Sequence, residues 1–303
     1  MIKRYTFILF VMSSLLSAAE VCDTGEIDAT KSKINIDNIK NDRSKDNMQD
    51  WLDDIFGLRP YKANYILPFG IANKPYRTHL QSAIPYDKKE AEIQVSLKLQ
   101  VAKNLLGLHE KYYLAYTQQA FWQIYIDSAP FRESLYNPEG FVVFPISDKT
   151  SMFQMRSLKI AMAHKSNGQP NTSDVPEFNG FNVSKSINYF YATLRLQHDS
   201  LITDLTLQTP FPGNANLSDN PDIMKYLGYT KVKFTYFYNE HMLSLMLRGN
   251  IDSLRGAVEA TYSYPIRPHK SYLYVKFFSG YVESLIDYNN NITKFSIGVS
   301  FSR

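Results

Sequence analysis

The 303-residue chain has a single cysteine, Cys22, and therefore no intramolecular disulfide. Past the N-terminal stretch, no apolar run approaches the ~18 residues that a membrane-spanning helix needs. Charge of one sign is scarce as well. Lys and Arg number 33 against 29 Asp and Glu, a net of +4 without any basic cluster, which argues against a nucleic-acid partner. No internal repeat stands out. Tryptophan is rare, at two, but tyrosine and phenylalanine number 22 and 19. An abundance of Tyr suits a protein that touches a membrane interface.

The N-terminus reads as a processing signal. Lys3 and Arg4 form a short positive region, Tyr5 to Leu16 is apolar, and Ser17-Ala18-Ala19 offers a small-residue cleavage site. These features predict a signal peptide over 1–19 and a mature chain starting at Glu20. Ala19-Glu20-Val21 lacks the small residues that lipid attachment at Cys22 would want. Residues 20–50 are polar and charged and read as a flexible segment. An exported chain without a spanning helix has one other way to cross a membrane, a β-barrel that satisfies its own backbone.

From Trp51 onward short segments alternate apolar and polar residues. In 91–101, Ala91, Ile93, Val95, Leu97, Leu99 and Val101 lie on one face; Glu92, Gln94, Ser96, Lys98 and Gln100 lie on the other. The same period recurs at 231–236, 257–264 and 294–301. Similar runs lie near 61–72, 112–124, 141–146, 156–166, 188–197, 201–208, 242–249 and 272–279. The expectation is an all-β fold of about a dozen strands. A soluble sandwich alternates in this way, with one wet face. So does a transmembrane antiparallel barrel with lipid outside and a polar lumen. Strands of about ten residues, the export signal and the aromatic content favour the barrel.

Alternation also sorts the polar residues. Leu158, Ile160 and Met162 share a face with His164 and Ser166; Phe190, Ala192, Leu194 and Leu196 share one with Asn188. If apolar faces meet lipid, these three polar residues lie outward at one rim, on strands joined by the loop 167–187. A polar rim needs no function, and His-x-Ser alone is a weak pattern. Together, however, the three suit acyl transfer. A serine hydroxyl becomes nucleophilic when a base takes its proton, histidine titrates near neutrality, and a neutral amide can orient the imidazole in place of a carboxylate.

At these residues the chain resembles the outer-membrane phospholipase A family, over most of 51–300. The segments that carry the likeness are HKSNG (164–168), SKSINYFY (184–191), YTQQAFWQ (116–123), SAPFRE (128–133), NPDIMKYLGY (220–229) and SGYVESLIDYN (279–289). The resemblance implies that 51–303 is one twelve-stranded outer-membrane barrel, a calcium-dependent phospholipase with A1, A2 and lysophospholipase activity, active as a homodimer. It places the nucleophile on Ser166, the base on His164 and the orienting amide on Asn188. It places calcium ligands on Ser184, on the carbonyl of Gln169, where the family is expected to carry Arg, and on Ser128 from a second copy. Gln118 falls in the implied dimer contact, and the outward face of 93–101 is a candidate to join it. The loop between Gly168 and Ser184 is longer than the family pattern; Asp174 and Glu177 within it are candidate further ligands. His79, His109, His198, His241 and His269 lack metal-like spacing and read as rim or lumen residues. Glu283 and Asp287 read as structural. The competing function is a porin or adhesin barrel without enzymatic activity.

Overall fold

The computed structural model describes residues 57–79, 84–147, 155–171, 176, 180–213, 215–267 and 271–303. The signal peptide, the 20–50 segment, Cys22, Trp51, Asp174, Glu177 and His269 lie outside the described residues.

Thirteen strands run through the described residues. The first two are β1 (Leu58–Pro60) and β2 (Asn64–Ala72). Both pair with β3 (Lys89–Lys103), at Leu97–Leu99 and from Gln94 downward respectively, so they are two halves of one stave. Then follow β4 (Lys111–Trp122), β5 (Phe131–Pro145), β6 (Met155–Ser166), β7 (Ser186–His198) and β8 (Leu201–Pro210). A short α-helix, α1 (Ile223–Leu227), precedes β9 (Thr230–Tyr238), β10 (His241–Asn250), β11 (Arg255–Ile266), β12 (Ser271–Gly280) and β13 (Ile292–Ser302). Each strand pairs antiparallel with the next, and β13 returns to β2. The result is a closed twelve-stave antiparallel barrel. At the seam a Cβ on Gly298 would stand 2.2 Å from the Ile66 carbonyl oxygen, so the register shift there requires glycine.

Burial decides between sandwich and barrel. The buried positions of β3 are Glu90, Glu92 and Ser96 with the small Ala91, while Val95 is 48% exposed and Leu114 on β4, opposite Leu99, is 57% exposed. A soluble sandwich would bury the valine and wet the glutamates. This inside-out pattern is that of a transmembrane barrel. Aromatic residues ring both ends: Phe131, Phe190 and Tyr229 at one, Tyr236, Tyr238 and Tyr264 at the other, all exposed.

The lumen is filled by charges. Lys294 Nζ lies 2.8 Å from Glu90, 3.0 Å from Glu92 and 3.0 Å from Glu283. Arg132 bonds both carboxylate oxygens of Glu90, at 2.9 and 3.0 Å, and Lys276 lies 2.6 Å from Glu92. These fully buried charges persist because each of them is paired. They also explain why β5 is longer than the run at 141–146 predicts. Arg132, Glu133, Asn137 and Glu139 are all buried inward, and Pro138 interrupts the pattern, so apolar periodicity misses the first half of the strand.

Candidate active site

The loops 73–88, 123–130, 167–185, 211–229, 251–254 and 281–291 all emerge at one end of the barrel. His164 and Ser166 close β6 at that end, and Asn188 opens β7. Ala161 and Ala163 are buried inward while Ile160 and Met162 are exposed, which puts His164 and Ser166 on the outer surface. His164 is the cross-strand partner of Asn188, and Nδ1 lies 2.7 Å from Asn188 Oδ1. The amide oxygen can only accept, so Nδ1 carries the proton and Nε2 is left with its free lone pair. Ser166 stands two residues on, on the same face. No hydrogen bond joins it to His164 in this structure. Such contacts are commonly long before substrate binds.

What holds the end of β6 is the next residue. Asn167 is buried, and its amide donates to Glu133 Oε1 at 3.1 Å and to the Val183 carbonyl at 2.7 Å. Its Oδ1 accepts from the backbone of Lys185 at 3.1 Å and of Gln169 at 3.3 Å. Glu133 in turn accepts the N–H groups of Leu285 and Ile286, at 2.9 and 2.7 Å. The 167–185 and 281–291 loops are thus tied to one buried carboxylate. Gly168 has φ of 63°, and a Cβ there would meet the Tyr136 ring at 2.9 Å. The residue types of HKSNG follow: Asn to tie the loop, Gly to turn it against Tyr136.

Sequence reasoning passes over Asn167, Glu133 and Tyr136. The hint available was only their position inside matched motifs or on an outward face. Glu283 and Asp287 receive the structural roles expected. Glu283 joins the lumenal cluster, where burial pushes its carboxyl up against the pull of Lys294. Asp287 accepts from His79 at 3.0 Å, whose ring stacks on Phe181.

The candidate calcium ligands lie on loops at this same end of the barrel. Ser184 is half-buried, its N–H bound to Asn182 Oδ1 at 2.9 Å and its hydroxyl without a partner among the described residues. Gln169 is exposed, its N–H sharing Asn167 Oδ1 with that of Lys185, and Ser128 is exposed on the β4–β5 turn with φ of 61°. All three offer neutral oxygen, a donor type that calcium accepts, although no carboxylate is among them. No cluster of three His, Cys, Asp or Glu suited to a metal occurs among the described residues. Gln118 lies outward on β4. The register runs Val95, Gln118, Tyr136, Ser166 across four adjacent strands, so Gln118 is two strands, about 10 Å, from the serine.

The profile of the family described as Phospholipase A1 matches residues 41–301. The chain is 33% identical to a phospholipase A1 of Klebsiella pneumoniae, over 82% of this chain and 83% of that one. It is 31% identical to the phospholipase A1 of Escherichia coli K12, over 84% of each. The fold superposes on an asparagine-to-alanine active-site mutant of outer membrane phospholipase A from E. coli with a TM-score of 0.72, at 30% identity, covering 82% of this chain and 93% of that one. It superposes on a calcium-bound dimer of the Salmonella typhi outer membrane phospholipase with a TM-score of 0.71, at 29% identity, with the same coverage of 82% and 93%.

Proposed function

The chain belongs to the phospholipase A1 family and is a phospholipase ester hydrolase of the bacterial outer membrane; from that premise we propose that Ser166, His164 and Asn188 carry the hydrolysis, on the lipid-facing rim of the barrel. The observation that carries this reading is the outward His164–Asn188 pair, 2.7 Å apart, with Ser166 on the same face. An asparagine in the active site of the E. coli relative supports it.

Ser166 Oγ attacks the acyl carbonyl carbon of a phospholipid while His164 Nε2 takes its proton. The same proton passes to the departing glycerol oxygen, lysophospholipid leaves, and water activated by His164 releases the fatty acid. Both acyl positions and lysophospholipid are substrates of this cycle. The oxyanion needs donors. The Asn167 N–H is committed to the Lys185 carbonyl at 3.1 Å, which leaves the backbone at Gly168 for the role. Loss of such a donor costs roughly 2.7–4 kcal/mol of barrier.

Calcium fits the oxygen donors Ser184, the Gln169 carbonyl and Ser128 of a second copy; when bound it supplies positive charge beside the developing oxyanion. The calcium-bound dimer of the Salmonella relative supports this assignment. A second copy docked over Val95 and Gln118 stands close enough to Ser166 to form the other wall of an acyl cleft. Gln118 Oε1 accepts from the Tyr116 hydroxyl at 3.3 Å, which leaves its N–H groups for a partner across an interface. A passive pore is the weaker reading, because the lumen is filled by the Glu90–Lys294–Glu92 cluster.

The test is release of fatty acid from phospholipid micelles, with calcium and with chelator, beside Ser166→Ala. Release that needs calcium and disappears in Ser166→Ala is expected. Equal activity of crosslinked dimer and isolated monomer would remove the dimer from the reading; no release from folded wild-type dimer would remove the enzyme site.

A further inference from the structure

Most charges inside the barrel have an opposite partner, but among the described residues three at the end that carries Ser166 do not. Lys165 points into the lumen directly behind His164 and Ser166, Lys231 faces inward from the start of β9, and Arg248 faces inward from the end of β10. Lys231 and Arg248 are register partners, two cations directly opposite one another across the β9–β10 ladder. Such like-charge pairs destabilise a sheet. The strongest charge acting on Lys165 is Arg248, followed by Glu133, and Lys231 faces Lys62, then Glu139, Lys233 and Arg248. Neither lysine makes a hydrogen bond or ion pair with a described residue.

Arg248 is held but not neutralised. Its Nη2 donates to the carbonyls of Tyr281 and Val282, at 2.6 and 2.9 Å, which fixes the guanidinium beneath the 281–291 loop. Its Nη1 is buried and has no partner.

The carboxylates that face the three cations are all committed elsewhere. Glu133 is taken by Asn167 and by the Leu285 and Ile286 amides. Glu139 accepts from Lys62 at 2.5 Å and from Tyr191. Glu259 faces Lys276 at 3.5 Å. Cations drawn partly out of water without a carboxylate partner are expensive, and this end of the lumen gathers three, each part-buried.

We infer that Lys165, Lys231 and Arg248 form a binding site for a phosphate-class oxyanion inside the barrel, behind the strand that carries Ser166. A dianion balances more of this charge than a halide does. A guanidinium with one fixed free N–H and two mobile ammonium groups suits its several oxygens. The bound species is either free phosphate or the phosphoryl group of a small ester, and the experiment separates them.

The full chain is unfolded by heat in detergent micelles with chelator present. Sodium chloride is replaced stepwise by sodium phosphate, or by sodium glycerol phosphate, at constant ionic strength. A ligand that binds only the folded state raises Tm with its concentration. Tm of the wild type is expected to climb with phosphate, and the climb to be absent in Lys231→Gln and Arg248→Gln. Lys231→Arg, which keeps the charge, retains it. So does Lys98→Gln, which removes a cation at the other end of the lumen. In phosphate-free buffer Lys231→Gln melts above wild type, because one repulsion is gone. A climb with the ester too identifies a phosphoryl group as ligand; a climb with inorganic phosphate alone identifies the free ion. Wild-type Tm that ignores phosphate, or a climb shared by Lys231→Gln and Arg248→Gln, overturns the site.

Discussion

The imidazole of His164 is oriented by one observed side-chain contact, the 2.7 Å approach of Nδ1 to Asn188 Oδ1. Losing a single hydrogen bond of this kind costs about 1–3 kcal/mol, roughly five- to a hundred-fold in rate. Asn188→Ala is therefore expected to lower kcat by that factor with KM unchanged, while Asn188→Asp retains most of the rate. Steady-state kinetics on mixed micelles checks it. A loss as complete as that of Ser166→Ala would show that Asn188 does more than orient the base. The three residues were legible in the sequence because a period of two assigns each to a face without any knowledge of the fold. Their meeting was not, since the match of residue 164 with 188 depends on how the intervening loop sets the register.

At the scale of elements, the end of β6 is fixed by its connections to other loops. Asn167 makes four side-chain hydrogen bonds, with Glu133, Val183, Gln169 and Lys185. Asn167→Ala leaves the twelve staves untouched and frees the 167–185 loop from the Glu133 carboxylate. The expected outcome is activity reduced at least tenfold, on the scale of more than one lost hydrogen bond, with the heat-modifiable electrophoretic mobility of a folded barrel retained. Full activity in this variant would show that the 281–291 loop holds β6 without it. None of this was readable in advance. An asparagine at the end of a strand has many possible partners, and three of the four of Asn167 lie 16 to 34 positions away.

For the whole molecule, Lys294 is the hub of the lumen. Replacing it by methionine leaves Glu90, Glu92 and Glu283 facing one another with only Arg132 and Lys276 to answer them. Removing one partner of a buried ion pair costs about 3–5 kcal/mol. Lys294→Met is expected to lower stability by that amount in urea unfolding from micelles, whereas Lys89→Met, at a more exposed lysine of β3, changes little. Similar midpoints for the two variants would show that the lumen repacks or takes up water at no cost.

Alternation of apolar and polar residues determined by itself that the chain is all-β, that its strands have two unlike faces, and that His164, Ser166 and Asn188 share the apolar one. That information is local, because successive side chains of any strand point to opposite sides whatever the strand pairs with. Which face is outside was a different matter. A sandwich and a barrel present the same period, and only closure of β13 onto β2, with Glu90, Glu92 and Lys294 enclosed, decided that the polar face is the interior. The tertiary structure alone also decided the partners. Lys294 meets glutamates more than 200 positions away, and Lys231 faces Arg248 across a ladder. Charge pairing acts through space, and a linear sequence does not state which strands become neighbours.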